Sequence, residues 1–309
     1  MHNNLIEKNL SQYFQDFYIT RSSSGTSAII AVLKSLIKDS NKDEVIIPSV
    51  VCPSVMFAVN FLCLKPVFVD MELNFFNMCI KDLKKRISKK TLAIIGVHCF
   101  GLAADIHSLV KLCKKKKIFL IEDACLNFGG KLNKKYYGSF GDASIVSFGY
   151  DKILPESGGA LMIKNKKKFL FIKDFFKKNP EFFESKLNEK KFQIKFDKLE
   201  ETIFKRKNNA KSFFLQLNSK NIIKPKLREE DVYWRYPIIY KKDRTKFINK
   251  ANRKGLIITK HYPSINKFQS NSNLTVANIM DQSILNFFVK PGTNAKYINN
   301  ICSLIKNEK

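Results

Sequence analysis

Long apolar segments are absent from this 309-residue sequence. The longest apolar runs, such as Val45–Ile47 and Leu92–Val97, fall far short of the roughly 20 residues that a membrane-spanning helix requires. No basic segment followed by an apolar one opens the chain, so the sequence does not indicate a secretory leader. We therefore expect a cytoplasmic protein without membrane insertion.

Regularly spaced cysteine pairs are absent as well. The seven cysteines are odd in number, and none forms the Cys-x-x-Cys spacing of zinc and redox sites. They are residues 52, 63, 79, 99, 113, 125 and 302. Because they are scattered through apolar segments, we expect reduced thiols in the core rather than disulfides, and no structural metal.

Acidic residues are few, since 27 Asp and Glu stand against 55 Lys and Arg and give a formal net charge of +28. Such a charge is typical of nucleic-acid-binding proteins. However, only 7 of the basic residues are Arg, and the chain is also rich in Asn, Ile and Phe, as AT-rich coding would produce. We therefore expect no nucleic-acid partner. The lysine clusters at 114–117 and 166–168 are interpreted as solvated faces that could help to attract an anionic substrate.

The segment 26–164 alternates short apolar runs with amphipathic stretches. The predicted strands are Glu44–Pro48, Pro66–Asp70, Leu92–His98, Ile118–Asp123, Ala143–Phe148 and Gly159–Ile163, and the predicted helices include Thr26–Ile37 and Asp105–Lys117. This order predicts the α/β class, with a mostly parallel sheet flanked by helices. Ligands bind beyond the carboxyl ends of the strands in such sheets, so we expect the functional site at that edge.

The alternation of short apolar runs with amphipathic stretches ends near residue 165. Residues 1–165 are predicted to form a large α/β domain, and residues 166–309 to form connecting helices and a smaller C-terminal α+β domain. The elements predicted in the second part are a long helix over Lys198–Leu217, then Tyr233–Tyr240, Lys242–Lys254, Leu256–Ile258 and a terminal helix over Ala295–Lys306.

Three motifs in the first part carry chemistry. Gly25 and Thr26 open the first predicted helix, where free backbone N–H groups can bind a phosphate, although Ser and Thr here are also ordinary helix caps. Asp123 ends a buried strand and needs a cationic partner, such as the protonated nitrogen of a pyridine cofactor, unless it is a metal ligand or a cap. Lys152 follows another strand, beside an acidic residue and aromatic residues, where it could serve as an attacking amine.

Taken together, these motifs resemble the DegT/DnrJ/EryC1/StrS family of sugar aminotransferases, which depend on pyridoxal 5′-phosphate (PLP). The stretches that carry the resemblance are Ser24-Gly25-Thr26, residues 43–49, Pro66–Asp70, Val97–Gly101, Ala104-Asp105-Ile106, Glu122-Asp123-Ala124, Gly138–Asp142 and Ser147-Phe148 with Lys152. A weaker likeness continues through Tyr236-Pro237-Ile238 and His261-Tyr262-Pro263. The resemblance implies the type I fold of PLP-dependent transferases, with a large domain and a smaller C-terminal one.

The resemblance also implies a role for each matching residue. Lys152 would carry the cofactor and move a proton between substrate and cofactor. Asp123 would pair with the pyridinium nitrogen of PLP and keep the ring protonated. Gly25, Thr26 and Ser147 would bind the 5′-phosphate.

Five further positions are placed at the site by the same resemblance. Cys52 and Leu126 fall at cofactor-contacting positions, where many members of the family have an aromatic residue and a glutamine or histidine, respectively. Both contacts are therefore changed in this chain. His98, His261 and Tyr262 would lie on the substrate side.

The implied activity is the transfer of an amino group from an amino acid, glutamate above all, to a keto sugar nucleotide in surface polysaccharide or lipopolysaccharide biosynthesis. A homodimer is implied as well, although the stretch 164–205 is shorter than in most relatives and lacks the Asn-bearing segment that crosses the dimer. Two alternatives stay open. One is a PLP-dependent sugar dehydratase, which generally has histidine in place of the lysine. The other is a catalytically weakened member that acts as a binding or regulatory protein.

Overall fold

A computed structural model of the chain describes residues 5–184, 187–269 and 273–307. The helices in these residues are α1 Leu5–Ser11, α2 Gly25–Ile37, α3 Pro53–Phe61, α4 Ile80–Arg86, α5 Ile106–Lys116, α6 Lys166–Lys178, α7 Pro180–Phe183, α8 Glu189–Asp197, α9 Leu199–Gln216, α10 Arg244–Arg253, α11 Thr275–Ser283 and α12 Ala295–Lys306. The strands are β1 Tyr18–Ser22, β2 Glu44–Pro48, β3 Lys65–Val69, β4 Met71–Glu72, β5 Asn77–Met78, β6 Thr91–Val97, β7 Phe119–Asp123, β8 Lys131–Leu132, β9 Lys135–Tyr136, β10 Ala143–Ser147, β11 Gly159–Ile163, β12 Ile222–Ile223, β13 Tyr236–Tyr240 and β14 Ile284–Phe287.

The main sheet, as far as the chain is described, has seven strands in the order β1-β11-β10-β7-β6-β2-β3. The strands from β10 to β3 run parallel, whereas β11 runs antiparallel to its neighbours β10 and β1. Helix α2 packs against β10 and β11, and α5 packs against β6 and β7. This architecture confirms the predicted α/β class and its mostly parallel sheet.

Most predicted elements lie within one residue of their observed ends, and β2, β11 and α12 have the predicted bounds. Two predictions need correction. Strand β13 begins at Tyr236 rather than at Tyr233, because Tyr233 has a φ of 59° that no strand residue adopts. Leu256–Ile258 forms no strand, and only Thr259 bridges to Asn286 there. The edge strand β1 and the helix α3 were not predicted.

The second part of the chain adds a three-stranded antiparallel sheet, β12-β13-β14, in its described residues. One hydrophobic cluster runs from Ile6 to Ile305 and includes side chains of both parts. The domain boundary at residue 165 therefore stays a prediction, because the core is shared across it. None of the helices in the described stretches combines the length and apolar character needed to cross a membrane.

All seven cysteines are free thiols, and four of them are buried. Cys63 is exposed, so the expectation that the thiols lie in the core is wrong for that residue. Burial raises the pKa of the Cys99 and Cys125 thiols, and the nearby carboxylate of Asp123 raises both further. These two thiols therefore stay protonated at neutral pH.

The register of the main sheet brings several chain segments to one edge. Ser22 and Ser147 both pair with Gly159, and Val97 pairs with Asp123. The strands β1, β6, β7 and β10 therefore end at the edge where β11 begins. This is the edge at which the parallel topology predicts a ligand.

Candidate active site

A cavity of about 220 Å³ lies beyond this edge of the sheet. It brings together eight of the ten predicted site residues, and these are Gly25, Thr26, Cys52, Asp123, Leu126, Ser147, Lys152 and Tyr262. Seven of them come from the first 165 residues, whereas Tyr262 comes from the second part of the chain. The cavity is therefore closed by both parts. The chemical role of each residue stays a prediction.

The first turn of α2 forms one wall of the cavity. Ser24 caps the helix, because its Oγ accepts a hydrogen bond from the backbone N–H of Ser27 at 3.1 Å, and its own N–H donates to Ser27 Oγ at 2.9 Å. The backbone N–H groups of Gly25 and Thr26 have no acceptor among the described residues. Both the cap and the free N–H groups were predicted alternatives, and the structure contains both. Free N–H groups at a helix start can bind a phosphate.

Gly25 allows this helix start to sit directly on the sheet. A Cβ at Gly25 would lie 3.1 Å from Cys125 Sγ and 3.3 Å from Ser147 Cβ, which is closer than nearly all real Cβ contacts. The Ser147 hydroxyl therefore lies next to the helix start. Together with Thr26, it supplies hydroxyl groups beside the free N–H groups.

Asp123 is the carboxylate of the cavity, and only 5% of its surface is exposed. Its Oδ1 accepts a hydrogen bond from the Cys125 N–H at 2.9 Å. The Cys125 thiol also faces this carboxylate, but no cationic side chain among the described residues forms an ion pair with it. A carboxylate buried in this way requires a positive partner, which a ligand could supply.

Glu122, the preceding residue, is turned away from the cavity and is fully buried. Its Oε1 accepts from His98 Nε2 at 3.1 Å and from the Gly138 N–H at 2.7 Å. Its Oε2 accepts from the N–H groups of Phe140 and Gly141 at 2.8 and 3.0 Å. Four donors satisfy this carboxylate inside the protein, so it holds the 138–141 loop in place.

His98 corrects one sequence-based expectation. The imidazole is fully buried and does not line the cavity. Its Nδ1 accepts a hydrogen bond from the Ala104 N–H at 3.0 Å, and its Nε2 therefore donates to Glu122. Both ring nitrogens are occupied by the protein, so the predicted substrate contact of His98 is wrong.

Lys152 lies in the loop between β10 and β11, where its backbone N–H donates to the Gly149 carbonyl at 3.0 Å. The Lys152 ammonium forms no ion pair with any described residue. The preceding residue anchors the loop. Asp151 accepts from Arg235 through its carboxylate at 2.7 Å, and from Trp234 Nε1 through its carbonyl. The second part of the chain thus holds the segment that presents Lys152.

Tyr262 reaches the cavity on a segment that is fastened to the loop after β2, and His261 precedes it on the same segment. Ile265 N–H donates to the Ser49 carbonyl at 2.8 Å, and the Tyr262 ring stacks on Trp234 with 5.6 Å between centroids. Burial raises the pKa of Tyr262, so its phenol stays protonated. His261 is exposed beside Trp234 and does not line the cavity. Burial, followed by the charge of Arg235, lowers the pKa of His261.

Two residues of this arrangement, Trp234 and Arg235, were missed in the sequence. Arg235 is nearly buried, and its guanidinium lies 4.6 Å from the Trp234 ring and 3.9 Å from the Phe288 ring. One signal was available, since the only tryptophan of the chain stands next to an arginine inside an apolar run. Nothing in that run indicated that the pair would reach Asp151.

The two positions that depart from the family pattern also line the cavity. Cys52 directly precedes α3, and its Sγ accepts a hydrogen bond from Ser54 Oγ at 3.1 Å. Leu126 is buried and presents an apolar surface to the cavity. This side of the cavity therefore offers a thiol and hydrocarbon to a ligand.

The residues present fit a pyridoxal phosphate. The free N–H groups at the start of α2 and the hydroxyls of Thr26 and Ser147 suit its phosphate, Asp123 suits its ring nitrogen, and the Lys152 amine suits its aldehyde. A metal is a poorer fit, because the described residues contain no group of three His, Cys, Asp or Glu side chains that could hold one.

Comparison with known sequences places this geometry in context. The profile of the DegT/DnrJ/EryC1/StrS aminotransferase family matches residues 1–175. The chain is 35% identical over 150 residues to GDP-perosamine synthase of Escherichia coli O157:H7. This aligned stretch covers 48% of this chain and 41% of that protein. It is 32% identical over 162 residues to GDP-4-keto-6-deoxy-D-mannose 3-dehydratase of Yersinia pseudotuberculosis. This alignment covers 50% of this chain and 41% of that protein. The chain thus matches only about two fifths of the length of these relatives.

Comparison with solved structures extends the likeness to nearly the whole chain. PseC of Helicobacter pylori, an aminotransferase involved in the biosynthesis of pseudoaminic acid, has a TM-score of 0.88 and 21% identity. The alignment covers 98% of this chain and 89% of that one. This likeness confirms the fold, including the second part of the chain, which the family profile leaves unmatched beyond residue 175.

Proposed function

The chain belongs to the DegT/DnrJ/EryC1/StrS aminotransferase family, and on that basis we propose that it is a PLP-dependent sugar aminotransferase. It would move an amino group from an amino acid, glutamate in our proposal, to a keto sugar nucleotide in surface polysaccharide biosynthesis. The observation that carries the proposal is the single cavity in which Lys152, Asp123 and the open start of α2 meet. A cytoplasmic location stays a prediction.

The cofactor would be held at three points. Gly25 and Thr26 would donate backbone hydrogen bonds to its phosphate, with the Ser147 hydroxyl beside them. Asp123 would pair with the ring nitrogen through Oδ2, while Oδ1 stays fixed by Cys125. When bound, PLP supplies an electron sink for a carbanion at the substrate carbon.

Lys152 would act as the acid and base of the reaction. Its amine would take the proton from the carbon of the amino donor and return it at the cofactor, and it would reverse this movement for the keto sugar. The Asp151 contacts to Trp234 and Arg235 would orient the loop during both steps. The protonated Tyr262 phenol would close the site towards the second part of the chain.

A larger cavity of about 660 Å³ adjoins the Lys152 loop and suits the phosphates of a nucleotide-linked sugar. Its cationic lining, besides Lys152, consists of Lys195, Lys198, Arg206 and Lys290. Glu156 pairs with Lys195 at 2.8 Å. Burial lowers the pKa of Arg206 to about 10, so its guanidinium is still charged at neutral pH. Cations near an apolar-walled cavity attract anionic substrates.

A homodimer is proposed on the basis of exposed aromatic side chains next to the site. Phe57 and Phe61 on α3 are 56% and 58% exposed, and Tyr150, two residues from Lys152, is 94% exposed. Large aromatic groups left in solvent beside a functional cavity are typical of protein–protein contacts. A second copy of the chain would cover them.

Lys152 also favours transamination over dehydration. The Yersinia relative is named a dehydratase, but the sugar dehydratases related to this family generally have histidine in place of this lysine. The changed contacts at Cys52 and Leu126 leave a weakened binding or regulatory protein as the other candidate. The following experiment separates these functions.

The deciding measurement is the absorbance spectrum of the protein purified with PLP. We expect a visible band from the lysine-bound cofactor in the wild type, because Lys152 forms no ion pair with any described residue and lines the same cavity as Asp123. The band should be absent in Lys152→Ala and present in Lys84→Ala, a control on the exposed side of α4. Addition of glutamate should then bleach it.

A folded wild type without a Lys152-dependent band would contradict the cofactor assignment and favour the regulatory alternative. A band that glutamate does not bleach, although another amino acid does, would change only the amino donor. Conversion of the keto sugar nucleotide to a dehydrated product would favour the dehydratase.

A further inference from the structure

A second cationic cavity lies at the other edge of the main sheet, where β6, β7 and β10 begin. Its volume is about 650 Å³, and six lysines and two aspartates line it. We call this cavity the lysine basin. Its lysines are Lys42, Lys114, Lys117, Lys135, Lys164 and Lys168.

The lysines reach the basin from separate elements. Lys114 and Lys117 lie at the end of α5, Lys42 precedes β2, Lys135 belongs to β9, and Lys164 follows β11. Helix C-termini favour nearby cations, which accounts for the pair on α5. It does not account for the other four, since Lys168 reaches the same hollow from the first turn of α6 and the remaining three reach it from loops and strand ends.

The carboxylates of the basin do not balance this charge. Asp39 accepts from Lys168 Nζ at 2.8 Å, and the same ammonium donates to the Ser35 carbonyl at 3.0 Å. Asp142 accepts from the Leu120 N–H at 2.8 Å through Oδ2. The remaining five lysines of the basin form no ion pair with any residue that the structure describes. The basin thus keeps an excess of positive charge.

The ammonium group of Lys164 lies within this excess of positive charge. Partial burial of its ammonium lowers its pKa, and the charges of Lys135 and Lys114 lower it further against the opposing effect of Asp142. Its Nζ lies 3.5 Å from the Phe140 carbonyl oxygen. A bound anion would relieve the repulsion among these ammonium groups.

We propose that the lysine basin binds an anion that carries two or more phosphate groups, at a site separate from the Lys152 cavity. Ammonium groups on several sides of a hollow of this size can contact more phosphate oxygens than a single phosphate presents. The apolar side chains of Leu92 and Phe140 line the same hollow and would contact the rest of the ligand. A soluble diphosphate and a phospholipid headgroup surface both present this chemistry.

Calorimetric titration of the PLP-loaded protein with inorganic pyrophosphate, at about 0.15 M salt to screen non-specific attraction, tests the proposal. We expect the double variant Lys135→Gln/Lys164→Gln to bind at least about tenfold more weakly than the wild type, because two charge-assisted contacts are lost. The control Lys84→Gln/Lys85→Gln removes the same charge from exposed positions on α4. It should keep the wild-type affinity.

A second arm uses sedimentation with phosphatidylglycerol vesicles. Co-sedimentation that only the Lys135→Gln/Lys164→Gln variant loses assigns the basin to a lipid headgroup. Pyrophosphate binding without co-sedimentation assigns it to a soluble phosphate compound. Equal weakening in the α4 control, or a wild type that binds neither probe, would overturn the proposal. Neither outcome affects the Lys152-dependent absorbance band, so the proposed function is tested separately.

Discussion

Glu122 and Asp123 are adjacent carboxylates with opposite environments. Successive side chains of a strand point to opposite faces of the sheet, so one carboxylate enters the core and the other reaches the cavity. The Glu122 side chain accepts four hydrogen bonds from the protein, whereas the Asp123 side chain accepts one from a backbone N–H group, through Oδ1. The same chemical group is therefore structural at one position and available to a ligand at the next.

Asp123→Asn should reduce activity by about 10²-fold or more, the scale for loss of one preorganised electrostatic partner. The amide oxygen can still accept from the Cys125 N–H, so the free energy of unfolding should not fall. Steady-state kinetics and thermal unfolding of the same preparations measure both quantities. An active Asp123→Asn enzyme would remove Asp123 from the cofactor site.

Glu122→Gln should instead lower stability. One side-chain oxygen becomes an NH₂ group that faces two backbone or imidazole donors, and each buried donor without an acceptor costs about 1–3 kcal/mol. We expect a loss of about 2 kcal/mol or more, measured by urea unfolding. The control is Glu201→Gln on α9, whose exposed carboxylate pairs with Lys205 alone among the residues that the structure describes, and which should change stability little. Equal stability of the two variants would contradict the structural role of Glu122.

At the scale of elements, the site depends on how closely α2 approaches the strands β10 and β11. A Cβ at Gly159 would lie 2.7 Å from the Val146 carbonyl oxygen and 3.1 Å from the Gly25 nitrogen. The strand and the helix start thus touch through a residue that has no side chain. Any atom added there displaces the phosphate-binding N–H groups that we propose.

Gly159→Ala should therefore lower both stability, by about 1–3 kcal/mol as for other overpacked sites, and the affinity for PLP. The control is Gly292→Ala, because a Cβ at Gly292 has no neighbour within 4 Å. Thermal unfolding and a PLP titration of the two variants give the comparison. An unchanged PLP affinity in Gly159→Ala would mean that the start of α2 does not bind the cofactor.

Gly25, Asp123, Ser147 and Lys152 were predicted for one site from their resemblance to the family motifs, and the structure brings them to one cavity. The parallel topology accounts for this meeting, because it places the carboxyl ends of the strands at one edge of the sheet. His98 also follows a strand, but its contacts depend on the Glu122 side chain and on a loop about 40 residues away in sequence, which no local pattern encodes. The edge strand β1 was missed because five residues with polar members resemble a loop.

At the scale of the whole molecule, the two parts of the chain are joined at the site itself. The carbonyl and carboxylate of Asp151 bond Trp234 and Arg235, and Tyr262 closes the cavity from the same side. Movement of the second part relative to the first would therefore move the loop that carries Lys152.

The proposed homodimer gives a prediction at this scale. Phe57→Asp/Phe61→Asp should convert the protein to a monomer and lower its activity, since charges replace the apolar groups that the second copy would cover. The control is Phe204→Asp/Leu215→Asp, which changes two equally exposed apolar residues of α9 and should leave a dimer. Analytical ultracentrifugation measures the outcome. A wild type that sediments as a fully active monomer would contradict the dimer.

Trp234 is the only tryptophan of the chain, and it contacts both Asp151 and Tyr262. All indole fluorescence of this protein therefore originates beside the Lys152 loop. The position of the emission maximum reports whether that indole is shielded from water, and quenching by a nearby absorbing ligand reports its arrival. The chain thus contains its own optical probe, and stopped-flow emission can follow events at the cavity in real time without a label.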